Sequence, residues 1–589
     1  MPWYHEKKPH GATQLDHLIS PHGGTLVNLI VEGDRAAQIR EQSREWPSID
    51  LGQRQLCDLE LLLGGGLSPL EGFMGSADFN TVCAEMRLTN GVFWPLPVTL
   101  DIDEKTADAL TVGEAVALRD AEGVMIAAVT VDEIFRPDRE AEATALFGDA
   151  ETRRGAKTRF LKRTPPFAVA GRLEGLQLPV HYDFGELRLS PLELRRKFGR
   201  LGWRKVMAYQ THQTMHRAQQ AETQNAAREA GASLLIHPVV GLNQPGDVDH
   251  YARVRCYQET LPQYPAMFAR LNLLPMAARG GGPNEAMLHA IVHKNFGCTH
   301  FLVEQNGEGS VLEVIGAPGY GDAEALEVVS NHAEELGIEM APAEEMVYAE
   351  NRKRFVPAAE IAPDDRILSL TGEDVLKRLA DGREIPEWFS FPGVVRELRR
   401  RRPGRNLQGF TVFCTGLSGS GKSTIANGLR VKLLELGGRG VTLLDGDLVR
   451  KNLSSELGFS KEHRDLNIRR IGFVASEITR GGGVAICAPI APYDSVRHEV
   501  REMVQPCGGF ILVYVSTPLE VCEERDRKGM YAKARAGIIK EFTGISDPYE
   551  IPDDADVRID TSLVTPDEAV REVLLFLERE GYISAAEAE

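Results

Sequence analysis

The clearest chemical motif in the chain is the stretch GLSGSGKST, which begins at Gly416 and ends at Thr424. It fits the phosphate-binding pattern G-x-x-x-x-G-K-[ST] in full, and it lies between a strand-like run, FTVFC, and a helical run, STIANGLRVKLLEL. Glycines let backbone N–H groups wrap a phosphate, and the N-terminus of the following helix adds positive potential. Lys422 is predicted to reach the β- and γ-phosphates of ATP, and Ser423 to bind Mg²⁺. The predicted ATP-binding residues are Gly416, Leu417, Ser418, Gly419, Ser420, Gly421, Lys422, Ser423 and Thr424.

The stretch LLDGDLVR contains an apolar strand-like run that ends at Asp445, and a second carboxylate, Asp447, lies two residues later. Acids at the carboxyl end of a strand, beside a phosphate-binding loop, can organise Mg²⁺ or activate an attacking hydroxyl. Asp445 and Asp447 are therefore predicted to be catalytic together with Lys422, and Asp445 to share the metal with Ser423. The sequence does not divide the two roles between the aspartates. A surface turn or helix cap would explain the stretch on its own, but the neighbouring loop favours the catalytic interpretation.

Polar side chains recur every three residues in the next stretch, GFSKEHRDLNIRRIGFVA. Arg464, Asn467 and Arg470 would share one helix face, which either binds an anionic substrate or is simply solvated. A second basic stretch, ERDRKGMYAKARAG, is typical either of a mobile lid over phosphates or of a basic surface helix.

Composition narrows the class of protein. The chain has 589 residues, of which 43% are hydrophobic and 26% charged, as in soluble proteins with several domains. The formal net charge of −18 argues against nucleic acid as the main partner. The sequence has no apolar run of membrane-spanning length and no apolar signal segment, so no membrane association is expected. The eight scattered cysteines match no zinc pattern, which predicts reduced thiols in a cytoplasmic protein.

The elements that would position these motifs can be predicted from patterning. The runs VFWPLPVTLDI, AVALRD and VMIAAVTVDEIF predict strands in a β-rich first region. From RKVMAYQ onward, apolar strands alternate with helical stretches, and a second such alternation begins at GFTVFCTG, which predicts two parallel sheets covered by helices. The run Arg399–Arg402 followed by Pro403-Gly404 predicts a helix end and a linker. The predicted class is multidomain α/β, with boundaries at residues 1–165, 166–345, 346–404 and 405–589.

Residues 405–589 resemble adenylylsulfate kinase. The resemblance is carried by GLSGSGKST, DGDLVR, LGFSKEHRDLNIRRIG, IAPY, RDRKGMYAKARAG and FTGISDPYE, in that order. This family transfers the γ-phosphate of ATP to the 3′-hydroxyl of adenosine 5′-phosphosulfate. Two positions depart from its pattern: Ala491 replaces a serine, which direct transfer does not require, and His463 replaces an aspartate. The resemblance implies a substrate-binding set of Arg450, Phe459, Arg464, Asn467, Ile490, Lys528 and Phe542, in which the two phenylalanines sandwich adenine.

Residues 1–395 resemble ATP sulfurylase (sulfate adenylyltransferase). The carrying stretches include ISPHGGTLVNL, GGGLSPLEGFM, IHPVVGLNQPGDVDHYARVR and KNFGCTHFLVE. The resemblance implies a PUA-like domain at 1–165, a Rossmann-like nucleotidyltransferase domain at 166–345 and a small connecting domain with a linker at 346–404. A homo-oligomer with ATP and adenosine 5′-phosphosulfate as its small-molecule partners is also expected.

The nucleotide-binding signature of that family is altered in this chain. The family pattern Q-T-R-N-P-x-H-R-A-H is QTHQTMHRAQ here, so Gln210 and His216 remain, but His212 and Gln219 replace an arginine and a histidine. A family lysine is Gln244, and the family run G-R-D-H-A-G is the stretch from Glu304 to Gly309. Arg279 remains, whereas a neighbouring family arginine is Asn284. The degenerate sulfurylase site therefore comprises Gln210, His212, His216, Gln219, Arg279 and Asn284.

These changes remove positive charge from a site that must bring sulfate to an α-phosphate. Charge-assisted contacts contribute about 1.5–3 kcal/mol each, so losing several would cost on the order of 10⁵-fold in rate. Three hypotheses follow. The first is an adenylylsulfate kinase fused to an inactive or weakly active sulfurylase-like region. The second is a bifunctional enzyme that catalyses both steps of sulfate activation. The third, a sulfurylase with a merely regulatory kinase-like region, ranks last because the phosphate-binding motif is complete.

Overall fold

The computed structural model describes residues 18–148, 154–241, 250–277, 279, 283–303, 330–342, 344–401, 403–458, 460–526 and 529–583. The chain divides into two compact units. The first unit comprises Met1–Val375 and Ile385–Leu398, and the second comprises Leu376–Glu384 and Arg399–Glu589.

A six-stranded sheet organises the first part of the first unit, with strand order β1-β4-β5-β6-β2 and β3 paired to β6. All its pairs are antiparallel except β1 with β4. The sheet extends through β6 beyond the boundary predicted at residue 165. Its strands are β1 Ser48–Asp50, β2 Gly72–Phe73, β3 Leu100–Ile102, β4 Ala115–Arg119, β5 Met125–Phe135 and β6 Phe167–Gly175. The helices around it are Gly33–Gln42, Gln53–Gly64, Ser76–Glu85, Glu104–Ala109, Arg139–Phe147 and Arg154–Arg163.

A parallel five-stranded sheet follows in the same unit, with order β11-β10-β7-β8-β9. Strand β7 is first in the chain yet lies in the middle, so the connections run to one side through β8 and to the other through β10. Such a switch point is where ligands bind in open α/β sheets, outside the carboxyl ends of the strands. The strands are β7 Val206–Tyr209, β8 Ser233–Ile236, β9 Ala269–Leu271, β10 His300–Val303 and β11 Glu339–Pro342. The helices are Pro191–Leu201, Arg217–Glu229, His250–Thr260, Pro283–Asn295 and Ala333–Leu336.

A small antiparallel sheet of order β13-β12-β14 comes next. Its strands are β12 Met346–Ala349, β13 Arg354–Pro357 and β14 Ile367–Leu368. Two helices, Gly372–Ala380 and Pro392–Arg401, precede the second parallel sheet in the chain. The second of these ends within the arginine run, as predicted.

The second unit contains a parallel five-stranded sheet with order β16-β17-β15-β18-β19. Its central strand, β15, is buried on both faces, which explains why its sequence is apolar apart from Thr411 and Thr415. Phe410, Val412 and Cys414 point to one hydrophobic cluster, and Phe413 points to another on the opposite face. The strands are β15 Phe410–Thr415, β16 Val441–Asp445, β17 Val484–Ala488, β18 Gly509–Val515 and β19 Val557–Ile559. The helices are Lys422–Leu436, Gly446–Leu453, Lys461–Arg480, Asp494–Val504, Leu519–Arg525, Met530–Arg535 and Pro566–Arg579.

The predicted fold class is confirmed: a sheet-containing first region precedes two parallel sheets covered by helices. The helices around the first sheet were not predicted, because short amphipathic segments there are interspersed with the strands. Among the described helices, none combines the length and apolar character needed to cross a membrane.

Candidate active sites

The phosphate-binding loop of the second unit connects β15 to the helix Lys422–Leu436, in the context that the sequence predicted. Three of its glycines have positive φ, at 148° for Gly416, 76° for Gly419 and 103° for Gly421. This backbone region favours glycine, and a Cβ at Gly416 would also lie 2.5 Å from the carbonyl oxygen of Val515. The glycines therefore permit the tight loop that turns backbone N–H groups towards a phosphate.

The ammonium group of Lys422 lies inside the phosphate-binding loop. Lys422 is only 7% exposed, and its Nζ donates to the carbonyl oxygen of Leu417 over 2.6 Å. Two side-chain hydroxyls also stabilise the loop backbone. Those of Thr517 and Thr561 both donate to the carbonyl oxygen of Ser420, over 3.0 and 2.9 Å. The loop is thus preorganised around a cation.

Two predicted metal ligands lie side by side. The Ser423 hydroxyl donates to Oδ2 of Asp445 over 2.8 Å. Asp445 ends β16, and Ser423 lies in the first turn of the helix after the loop, so both oxygens lie at the carboxyl edge of the sheet. Hydroxyl and carboxylate oxygens are donors that Mg²⁺ prefers, so this pair fits the ion.

Arg464, a predicted substrate-binding residue, is held by three polar partners. It lies in the helix Lys461–Arg480, forms an ion pair with Asp547 at 2.9 Å, and donates to the hydroxyls of Thr543 and Tyr493 over 2.9 and 3.0 Å. Tyr493 in turn donates to Asp547 over 2.7 Å, and burial with this hydrogen bond raises the pKa of its phenol to about 12. Arg464 is therefore fixed in position before any substrate binds.

Asn467 lies one turn further along the same helix and is 4% exposed. Its Oδ1 atom is buried and has no hydrogen-bond partner within the described part of the chain. A buried polar atom without a partner costs free energy, so its presence indicates a ligand-binding position. Arg470, the third residue of the predicted face, instead pairs with Glu456 at 2.6 Å.

Arg450 and His463 both contact the loop that precedes the helix Lys461–Arg480. Arg450 donates to the carbonyl oxygen of Gly458 over 2.9 Å, and Nδ1 of His463 accepts from the N–H of Gly458 over 2.9 Å. His463 therefore supports the loop backbone. Ile490 contributes through its backbone, since its carbonyl oxygen accepts from the Thr415 hydroxyl over 2.7 Å.

Phe542 is 7% exposed and belongs to a small hydrophobic cluster with Cys522, Tyr531 and Ala534. Its ring packs edge-on against Tyr531 at a centroid distance of 5.0 Å. The Tyr531 hydroxyl donates to the carbonyl oxygen of Ser418, which ties this cluster to the phosphate-binding loop. Stacking on adenine stays a prediction, and the ring also has a packing role.

Three predicted residues cannot be placed in the same way. Phe459 and Lys528 lie outside the described residues, and so does the side chain of Asp447, whose backbone is part of the helix Gly446–Leu453. The described members of the predicted set are brought to one edge of the sheet by their elements, as the motif order predicts.

The altered signature of the first unit follows β7, at the switch point of its parallel sheet. His216 precedes the helix Arg217–Glu229, and the Gln219 side chain accepts from the backbone N–H of His216 over 3.0 Å. Gln219 therefore caps the helix. The His216 ring contacts Phe389, its Nδ1 lies 2.8 Å from the Ser390 hydroxyl, and burial lowers the pKa of this imidazole to about 4.

Gln210 is 6% exposed and lies between two buried histidines, His289 at 2.7 Å and His293 at 2.9 Å. Burial holds the pKa of His289 well below its usual range and lowers that of His293 to about 3. Both imidazoles are therefore neutral at pH 7 and add no positive charge. The backbone of His212 is anchored by Arg253, which donates to its carbonyl oxygen over 2.9 Å.

Arg279, the arginine of the degenerate site set, is already paired. The guanidinium of Arg279 is 5% exposed, contacts Asp58 at 2.5 Å and donates to the carbonyl oxygen of Pro97 over 3.0 Å. Asn284 donates to the carbonyl oxygen of Ala145 over 2.9 Å. Gln244 and the stretch from Glu304 to Gly309 lie outside the described residues.

Some contributors to the two sites were missed at the sequence level. Thr543 and Asp547 lie within the quoted stretch FTGISDPYE but had been given no role. His289 and His293 are spaced by four residues in MLHAIVHKN, a helical spacing that would have indicated a shared face. Asp58 gave no signal, because its contact with Arg279 is distant in sequence. Glu285 is close to Arg279 in the chain but had been given no role.

Comparison with known proteins follows the same division of the chain. Family models match it as a PUA-like domain over residues 19–178, ATP-sulfurylase over 185–401 and adenylylsulphate kinase over 408–560. Sulfate adenylyltransferase of Phaeosphaeria nodorum is 48% identical over 568 residues, 96% of this chain and 99% of the relative. Sulfate adenylyltransferase of Mycosarcoma maydis is 47% identical over 571 residues, 96% of this chain and 100% of the relative.

One solved structure is similar along nearly the whole chain. The "Hexameric APS kinase from Thiobacillus denitrificans" is 40% identical, with a TM-score of 0.79 over 96% of this chain and 99% of that one. The fold and sites thus define an enzyme with a nucleotidyltransferase region followed by a P-loop kinase region. The chain belongs to the sulfate adenylyltransferase family, in the arrangement that carries ATP-sulfurylase and adenylylsulfate kinase regions together.

Proposed function

We propose that this chain transfers the γ-phosphate of ATP to the 3′-hydroxyl of adenosine 5′-phosphosulfate. The observation that carries the proposal is the complete phosphate-binding loop, with Lys422 inside it and Ser423 beside Asp445 at 2.8 Å. The substrate hydroxyl attacks the γ-phosphorus, its proton passes to a carboxylate, and the bond to the β-phosphate oxygen breaks to release ADP. Asp445 and Asp447 are the two candidates for that carboxylate.

Each part of the site supplies a separate requirement of phosphoryl transfer, which depends on positioning and charge stabilisation. The loop and Lys422 hold the triphosphate. Ser423 and Asp445 would hold Mg²⁺, which neutralises charge on the transferring group. Arg464 is preorganised by Asp547 and Tyr493. Oδ1 of Asn467, which has no hydrogen-bond partner among the described residues, is available to a ligand. We propose that these residues, with Arg450, Ile490, Phe459, Lys528 and Phe542, bind adenosine 5′-phosphosulfate.

We further propose that the sulfurylase region is inactive or weakly active in forming adenosine 5′-phosphosulfate. Three features of the described residues support this. Arg279 is compensated by Asp58, Gln219 is engaged as a helix cap, and His289 and His293 are neutral. These groups then contribute little net positive charge with which to bring sulfate and ATP together.

The second candidate function is the fully bifunctional enzyme. It is favoured by the names of the two curated relatives, both called sulfate adenylyltransferase and both aligned along their whole length. Separate assays of the two half-reactions distinguish the candidates. Phosphorylation of adenosine 5′-phosphosulfate without pyrophosphate-dependent ATP formation supports the first, and both activities at similar rates would establish the second.

We also propose that the chain assembles as a homo-oligomer. The support is the name of the similar solved structure, which describes a hexamer. Light scattering coupled to size-exclusion chromatography tests this directly, since a mass equal to the single chain of 64.9 kDa would rule it out.

A further inference from the structure

A line of buried polar side chains runs through the first unit and includes Gln210 of the altered signature. It joins the residues that directly follow β7, β8 and β9 to the helix Pro283–Asn295. Each member is at most 6% exposed. In order, the members are Asn272, His237, His293, Gln210, His289 and Glu285.

The first member has only one possible orientation. Oδ1 of Asn272 accepts from the N–H of Leu189 over 2.9 Å, and its Nδ2 donates to the carbonyl oxygen of the same residue over 3.1 Å. The two backbone groups cannot exchange roles, so the amide cannot be flipped. Nδ2 is therefore the atom that faces Nε2 of His237 at 3.3 Å, and this ring nitrogen must accept.

The orientation of Asn272 determines which ring nitrogen carries the proton in His237 and in His293. A neutral His237 with an accepting Nε2 carries its proton on Nδ1, which lies 3.2 Å from Nδ1 of His293. His293 must then accept at Nδ1 and carry its proton on Nε2. This nitrogen lies 2.9 Å from Oε1 of Gln210, which accepts from it.

The same logic continues towards Arg279. Since Oε1 of Gln210 faces His293, its Nε2 donates to Nδ1 of His289 over 2.7 Å. His289 then carries its proton on Nε2, which faces Oε1 of Glu285 at 3.6 Å, a polar contact longer than a hydrogen bond. The same carboxylate oxygen accepts from the backbone N–H of Arg279 over 2.6 Å.

We infer that the five side chains from Asn272 to His289 form a one-directional hydrogen-bond relay, which ends against Glu285 and so positions Arg279 in the proposed nucleotide pocket of the first unit. The hydrogen bonds that link its members all run the same way, from Asn272 towards His289. Burial lowers the pKa of His237, His289 and His293, which keeps all three in the neutral form that the relay requires. The inference rests on the proposal that Arg279 belongs to that pocket, and it makes Gln210 a positioning residue.

Neutron diffraction from the perdeuterated full-length chain at neutral pH tests the direction of the relay. We expect deuterium on Nδ1 of His237, on Nε2 of His293 and on Nε2 of His289. Deuterium on the opposite nitrogen of any of these rings, or on both, would overturn the relay. This measurement needs no variant and no catalytic turnover, so it is independent of whether either half-reaction is observed.

Hydrogen exchange at the Arg279 amide tests the positioning role. His293→Leu interrupts the relay at a distance from Arg279, and we expect that amide to exchange about tenfold faster. His293→Gln retains one donor and one acceptor and should restore part of the protection. The control is His22→Leu, which removes a comparably buried imidazole that contacts Phe93 instead. Equal exchange at Arg279 in the His293→Leu and His22→Leu variants would show that the line is only part of the core.

Discussion

The Ser423 hydroxyl donates to Oδ2 of Asp445 over 2.8 Å, although β17 lies between the strands that lead to these two residues. The contact joins the helix after the phosphate-binding loop to the far side of the sheet. Parallel strands end at one edge, so the sequence order of the two motifs is enough to bring their oxygens together. The proposed Mg²⁺ site follows from this relationship.

Asp445→Asn should raise the Mg²⁺ concentration needed for half-maximal phosphorylation of adenosine 5′-phosphosulfate. Loss of one charged ligand is expected to cost about 1.5–3 kcal/mol, or on the order of 10- to 100-fold. Ser423→Thr retains a hydroxyl at the partner position and should change the requirement little. An unchanged Mg²⁺ dependence in Asp445→Asn would assign the metal to other residues.

Lys422→Ala should lower the rate of phosphoryl transfer by at least about 100-fold, because it removes a cation preorganised beside the transferring group. Lys432→Ala is the matched control. That lysine lies on the same helix, is 56% exposed and pairs only with Glu435 in the described structure. Turnover close to that of the unaltered chain in Lys422→Ala would refute the assignment of the kinase site.

The Phe542→Leu variant distinguishes a role of the ring in stacking on adenine from a role in packing the hydrophobic cluster. Leucine fills most of the hydrophobic cluster around Tyr531 but cannot stack on adenine. We expect the affinity for adenosine 5′-phosphosulfate to fall by about 0.5–1.5 kcal/mol, roughly 2- to 13-fold, with the fold retained. Phe542→Ala should also lose stability, since truncating a buried aromatic side chain typically costs about 3–5 kcal/mol. If the leucine variant is destabilised yet binds substrate normally, the ring is a core residue only.

The sequence predicted those parts of the fold in which a local motif is compatible with only one backbone structure. The loop around Lys422 needs glycines at positive φ, and a strand and a helix on either side, so the sequence was sufficient to place it. Arg464 was predicted to share a face with Arg470, yet the two side chains diverge to Asp547 and Glu456. Spacing fixes the direction of a side chain, whereas its partner depends on tertiary contacts.

The altered sulfurylase signature is a second example of side chains whose partners depend on tertiary contacts. The predicted loss of positive charge was counted from the residues, but the pairing of Arg279 with Asp58 joins positions that are far apart in the chain. The neutral state of the buried histidines depends on desolvation, which no local pattern records. The helices around the first sheet were missed because their apolar residues are mixed with strand signals.

The stability of the first unit should fall as the pH is lowered from about 6.5 towards 4. The folded-state pKa of His216 is about 4, below the unfolded value, so the unfolded chain binds the proton first. Each such group contributes at most about 1.4 kcal/mol per pH unit across that window. Exchange protection of the helix Arg217–Glu229, measured at pH 7 and pH 5, reports the effect.

His216→Gln should reduce this acid sensitivity, because glutamine does not titrate. Ser390→Ala is the control, since it removes the hydroxyl that lies 2.8 Å from His216 but leaves the imidazole in place. It should lower protection at both pH values and retain the dependence on pH. Equal acid sensitivity in His216→Gln and the unaltered chain would mean that other groups dominate.

Pyrophosphate-dependent ATP formation from adenosine 5′-phosphosulfate should be slow or absent, even when the kinase is disabled by Lys422→Ala. Binding a nucleotide and stabilising its transition state are separable, so His216 and Arg279 can support affinity without chemistry. Restoring one cation should raise the rate of ATP formation only slightly, because the effects of coupled groups are not additive. A combined variant should recover more, with arginine at His212, histidine at Gln219 and arginine-aspartate-histidine at Gln305–Gly307.

The described loop backbone is suited to such a rescue. Arg253 anchors the carbonyl oxygen of His212, and the Tyr257 hydroxyl donates to that of Gln213. Gln219→His by itself removes the acceptor for the N–H of His216, so it should cost about 0.5–2 kcal/mol of stability without a gain in rate. Robust ATP formation by the Lys422→Ala chain with no restoring substitutions would establish the bifunctional alternative, because the remaining groups would then supply enough positive charge for the reaction.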